Sequence, residues 1–100
     1  MSQLAKDIAE YLKEYHCTEV EAVKSRDLCL IFNLTDNRHV RNIVTFLRQE
    51  GEPICSSSNG YWYSEDPADI KKTIRRMVGQ VNNMSISIEG LRKALEEVSE

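Results

Sequence analysis

Residues 25–63 read SRDLCLIFNLTDNRHVRNIVTFLRQEGEPICSSSNGYWY, and this stretch decides the fold. Ser25 can cap a short helix with Asp27 in its first turn, where the positive end of the helix dipole favours an acid. Leu28, Ile31 and Phe32 give that helix its apolar face, and it stops at Asn33. NLTD is a turn, and Asp36 or Thr35 caps the next helix, NRHVRNIVTFLRQE. Val40, Ile43, Val44 and Leu47 form its buried stripe, and Gly51 stands where a left-handed C-terminal cap is expected. Two helices joined by a four-residue turn are the helix-turn-helix pattern. Behind Pro53, the dipeptide Asn59-Gly60 sits between Ile54-Cys55 and Tyr61-Trp62-Tyr63. That arrangement predicts a hairpin closed by a type I′ turn, with positive φ at both central residues.

Upstream, SQLAKDIAEYLKEY places Leu4, Ile8, Leu12 and Tyr15 at helical intervals, which predicts a helix over about 2–15. HCTEVEA is a polar connector, and AVK reads as a short edge strand. Downstream, Asp66 caps a helix with Pro67 at its first position, where the missing N–H costs nothing. From there apolar residues fall at Ile70, Ile74, Met77, Val81, Met84, Ile88, Leu91, Leu95 and Val98, with spacings that alternate four and three without a slip. This is a heptad seam, a coiled-coil signal. Gly79, Gly90 and Asn82-Asn83 weaken the helix by about 0.5–1 kcal/mol each relative to Ala. The register runs on across them, so one long helix is expected. Such a helix spans about 45 Å at 1.5 Å per residue, longer than a small domain can cover. Folding back as extra core is therefore the weaker reading of the seam, and pairing with another chain the stronger.

The expected fold class is mainly α with a small β-hairpin: a winged helix-turn-helix domain over 1–65 and a C-terminal dimerisation helix over 66–100. The 100 residues suffice for one compact domain with that helix appended. Thirteen basic and sixteen acidic residues give a net charge of −3, which excludes a polybasic tail as the source of function. The charge is unevenly spread. Arg38, Arg41 and Arg48 lie in an acid-free stretch over 37–48, and Lys71, Lys72, Arg75 and Arg76 in another over 71–88. Residues 49–70 hold five acids and no base. No apolar run reaches the roughly 20 residues a membrane span needs. The first residues lack the apolar core of an export signal. Cys17, Cys29 and Cys55 share no metal-type spacing, and reduced thiols in a cytoplasmic protein are expected.

The phrase FLRQEGEPICSSSNGYW, with SRDLCLIFNLTDNRHVRNIV before it, resembles small regulators of bacteria and their phages. Residues 3–64 as a whole resemble the winged-helix DNA-binding domain of the biotin-repressor type. Residues 67–100 lie outside the resemblance. It implies a third helix in the major groove of double-stranded DNA and a wing, here with Ser58 and Asn59, on adjacent phosphates. The wing departs from that pattern in carrying no Lys or Arg.

The residue types agree with such a role. With Val40, Val44 and Leu47 inward, the third helix presents Asn37, Arg38, Arg41, Asn42 and Thr45. Arg can bind guanine O6 and N7, Asn can bind adenine N6 and N7, and the Thr methyl can touch thymine. Lys24, Ser25 and Arg26 suit phosphate contact by charge and by the free N–H groups of a helix start. The bland alternative for both groups is a solvated helix surface. Lys71, Lys72, Arg75 and Arg76 either reach flanking DNA or only solvate their helix. His16-Cys17 has no second ligand or base at a recognisable spacing. Cys29 and Cys55 read as core residues, and the three aromatics after Gly60 as packing over the helices. No phosphate-binding glycine loop, nucleophile–histidine–acid set or paired-carboxylate motif is present. The expectation is a dimeric DNA-binding regulator of transcription, or of a phage or plasmid replication step, with no catalysis, cofactor, metal or small-molecule ligand. The rival expectation is a winged-helix protein-interaction adapter, or a phage replication accessory protein, assembled through the coiled coil. Whether the helix pairs with itself or with another protein stays open at this point.

Overall fold

The computed structural model describes residues 2–99. It is mainly helical, with one two-stranded antiparallel hairpin and a long C-terminal helix. In chain order the elements are α1 (Ser2–Tyr15), a single 3-10 turn (Glu19–Glu21), α2 (Ser25–Phe32), α3 (Asn37–Gln49), β1 (Ile54–Ser57), β2 (Gly60–Tyr63) and α4 (Pro67–Ser99). The chain divides into a first unit ending at Ile70 and a second running from Lys71.

The core of the first unit is built from one stripe of each helix. Ala5, Ile8 and Leu12 from α1, Leu28 from α2, and Val40, Ile43, Val44 and Leu47 from α3 are all buried. Their spacing of three and four residues is what a helix needs to bury one face and solvate the other. Ile54 closes this core from the hairpin side, while the cross-strand pair Cys55 and Trp62 is buried on the other face of the hairpin. Trp62 hands its indole N–H to Asp69 Oδ2 at 3.2 Å, so its one polar atom is satisfied despite burial. Ser64 Oγ donates to the same carboxylate at 2.8 Å. Asp69 thereby ties the first turn of α4 to the hairpin.

The helix ends follow local chemistry with one correction. Asp36 caps α3 by accepting the His39 N–H at 3.0 Å. Asn33 ends α2 in the left-handed region (φ 54°), and Gly51 follows α3 at φ 90°. Asp66 caps α4, its Oδ1 accepting the Ala68 N–H at 3.0 Å. Ser25, however, does not cap α2. It is the first helical residue, and Lys24 occupies the cap position without a side-chain hydrogen bond.

The hairpin turn also differs from its expectation. The register pairs Ile54 with Tyr63, Cys55 with Trp62, Ser56 with Tyr61 and Ser57 with Gly60. The loop is therefore Ser58-Asn59, and Gly60 already belongs to β2. Gly60 has φ 125° while Asn59 keeps a negative φ, so the turn is not type I′. Glycine is required at 60 for a different reason. A Cβ there would lie 2.4 Å from the Val23 carbonyl oxygen and 2.6 Å from its carbon. The expected edge strand at 22–24 is a single bridge: Val23 exchanges both backbone hydrogen bonds with Tyr61, at 2.9 and 2.8 Å. Two residues on, Tyr63 N–H donates to the His16 carbonyl at 2.8 Å. The outer edge of β2 is thus covered by the segment that follows α1.

In the second unit, α4 continues without a break to Ser99. Ile74, Met77, Val81, Met84, Ile88, Leu91, Leu95 and Val98 are all exposed along it. None of the helices among the described residues is long and apolar enough to cross a membrane.

Candidate nucleic-acid interface

The side chains of α3 divide cleanly. Val40, Ile43, Val44 and Leu47 are at most 4% exposed, whereas Asn37, Arg38, Arg41, Asn42 and Thr45 all face solvent. The exposed five lie on the side of a helix whose other side is fixed by burial, so their direction is set by the core. Arg38, Arg41 and Arg26 make no side-chain hydrogen bond or ion pair among the described residues. Their guanidinium groups remain available to a ligand.

Next to this face lies an open concavity of about 360 Å³ lined by Lys24, Ser25, Arg26, Asn37, Gly60 and Tyr61. It brings together the start of α2, the start of α3 and the first residues of β2. The sequence-predicted residues Arg26 and Asn37 share this wall. Asn37 is held by Cys29, whose thiol donates to its Oδ1 at 3.9 Å. Ser58 and Asn59 are exposed at the hairpin tip. The structure brings Ser58 to the same neighbourhood, because Lys24 Nζ donates to its carbonyl at 2.8 Å. Asn59 Nδ2 donates to Glu19 Oε2 at 3.5 Å, so an acid stands beside the tip of the hairpin.

Several basic and titratable residues have structural duties instead. Arg48 donates from Nε to the Ile54 carbonyl at 2.8 Å and from Nη2 to Ser56 Oγ at 3.0 Å. It fastens β1 to the end of α3 and is withdrawn from the exposed stripe. His16 bonds through Nδ1 to the Glu21 carbonyl and through Nε2 to the Tyr11 hydroxyl at 3.1 Å. It holds the connector after α1. Cys55 is buried, Cys29 half-buried and Cys17 exposed, and none of the three is in a disulfide. Among the described residues no group of three or more His, Cys, Asp or Glu side chains is arranged to hold a metal ion.

On another side of the first unit, Tyr63 Oη donates to Glu52 Oε2 at 2.9 Å. Burial, that hydrogen bond and the charges of Glu52 and Glu65 push the Tyr63 phenol from 10.0 up to about 12. A smaller hollow there, about 250 Å³, mixes Lys6 and Lys13 with Glu10 and Glu52 and includes none of the sequence-predicted contacts.

The pinning of the hairpin by Lys24, Val23 and His16 escapes a reading of the sequence, since the partners lie far apart along the chain. Its one signal is Gly60, a residue without a Cβ where a backbone approaches. Compared with protein-family models, with curated proteins and with solved structures, the chain matches none.

Proposed function

We propose that the chain is a winged-helix protein that binds double-stranded DNA through α3, self-associates through α4 and regulates transcription. The observation that carries this reading is the acid-free exposed face of α3, with Asn37, Arg38, Arg41, Asn42 and Thr45 set against a buried opposite side. Those side chains have the donors, acceptors and methyl group that base edges in a major groove require. Arg26 and Ser25, in the adjoining concavity, supply charge and backbone N–H groups for phosphates. The exposed seam of α4 supplies the apolar surface for self-association. Serine and asparagine at the hairpin tip contribute hydrogen bonds rather than charge, so affinity rests on α2 and α3.

A second reading is a protein-interaction adapter. Leu30, 77% exposed, and Ile31 on the outer side of α2 favour it, as does Glu19 beside the hairpin tip. Fluorescence anisotropy with a random-sequence duplex, at low and moderate salt, separates the two. A DNA binder loses affinity steeply as salt rises, because bound phosphates release counterions. An adapter shows no salt-dependent binding at all.

A further inference from the structure

Charge is sorted by position along α4. Lys71, Lys72, Arg75 and Arg76 crowd the start of the second unit, and residues 77–88 hold no charged side chain. Residues 89–100 carry four acids against two bases. One of those bases, Arg92, pairs with Glu89 of the same helix at 3.5 Å. The flanks of the apolar seam hold no acid. One flank runs Thr73, Gln80, Ser87 and Ala94, and the only charges on the other are Lys71 and Arg92. Flanking salt bridges between helices ordinarily set the orientation of a pair. Here they are missing, and the two ends decide it.

We infer that α4 pairs with a second copy of itself in antiparallel orientation, an inference that rests on the self-association proposed above. Paired helix axes lie about 8–10 Å apart. Parallel pairing would gather both clusters of four bases at one end of the pair, where they repel. Antiparallel pairing sets each basic start against an acidic end and each positive helix start against a negative helix end. The seam leaves the orientation to the ends: Ile70, Met77, Met84, Leu91 and Val98 hold a single Leu where parallel two-stranded pairs favour Leu, while Ile74, Val81 and Ile88 are the β-branched residues such pairs favour in the other class. An antiparallel seam packs each class against the other. Setting Ile74 on Val98 of the second copy carries Val81 onto Leu91, Ile88 onto Met84 and Leu95 onto Met77. The same alignment brings Arg75 and Glu96 of the second copy to the same side of the pair, within one residue of level. The two Lys71 residues then stand about 45 Å apart along the axis at 1.5 Å per residue. The two first units leave the pair at opposite ends.

Nitroxide labels on the full chain test this, with Cys17→Ser and Cys29→Ala removing the accessible native thiols. A single label at Ala68→Cys should give label separations of at least about 54 Å, and one at Ser99→Cys at least about 39 Å. An equal mixture of the two proteins should show a new separation below about 25 Å. Short separations in each single sample and long ones in the mixture would overturn the orientation while leaving self-association intact. A monomer mass by light scattering would overturn both. Unlabelled protein gives an independent check. Arg75→Glu and Glu96→Arg should each weaken the dimer about two- to fivefold, and the double variant should recover it. In a parallel pair Arg75→Glu would relieve repulsion and tighten the dimer, which would overturn the inference.

Discussion

Replacing Gly60 with alanine puts a methyl group into the backbone of Val23. The added carbon meets the Val23 carbonyl oxygen at 2.4 Å and its carbon at 2.6 Å, and no flexible side chain is there to yield. The Val23–Lys24 segment must move, so both hydrogen bonds of the Val23–Tyr61 bridge lengthen, at about 0.5–1.5 kcal/mol each. An L residue held at φ 125° adds about 1–3 kcal/mol of backbone strain. The expected loss is about 2–6 kcal/mol, a large share of the roughly 5–15 kcal/mol that holds a domain folded. Trp62, the single tryptophan, is buried in the first unit, and its fluorescence reports that unit's urea unfolding. Below the transition, circular dichroism should keep most of its helical signal, since the caps of α3 and α4 are untouched. DNA affinity should fall under the same conditions, because Lys24, Ser25 and Arg26 move with Val23. Gly60→Val should act in the same direction and more strongly. A loss below about 0.5 kcal/mol for Gly60→Ala would mean that the hairpin is not seated on Val23.

Three further outcomes follow from the same geometry. Arg26→Ala should weaken binding to every duplex alike and lower the salt slope by about one phosphate, as read by anisotropy at several salt concentrations. Val81→Asp with Ile88→Asp should yield monomers by light scattering, because the proposed pairing would place these charges in a seam closed to water. Tyr63 ionises at about 12 in the folded chain against 10.0 for the free phenol, so the unfolded state gives up this proton first. Tyr63 therefore stabilises the fold fully below pH 10, and that contribution is lost as pH rises from 10 towards 12. The difference in phenolate absorbance between the parent and Tyr63→Phe should show the late titration, and Glu52→Gln should bring it earlier.

Where a sequence reading succeeds here, the signal is short-range. The length and end of α3 follow from Asp36, four apolar residues at helical spacing, and Gly51, all within 16 residues. The continuity of α4 follows from a seam whose register never slips across Gly79 or Gly90. The buried stripe of α3 also fixes which of its residues are exposed, so that part of the candidate site is legible before any coordinates. What stays hidden joins distant segments. Lys24 and Ser58 are 34 residues apart, and no local pattern shows that Lys24 supports the hairpin as well as lining the concavity. Arg48 looks like the third arginine of a basic face, but it sits on the side of α3 that meets β1. The turn at 58–60 reads as type I′ because Asn-Gly favours it locally. Val23 needs a glycine at position 60 whatever the turn type, and that tertiary contact overrides the local preference.

Reading of base sequence by α3 is probed most directly at Arg41. It is exposed on α3, beside the buried stripe that includes Val44, and its guanidinium has no partner among the described residues. Duplexes selected from a random pool by the parent protein, and unselected duplexes, should be titrated with the parent and with Arg41→Ala. Arg41→Ala should cost about 1–3 kcal/mol on the selected duplex and much less on the random one, flattening the preference between them. An unchanged preference in Arg41→Ala, or a parent protein that binds neither duplex, would contradict the account.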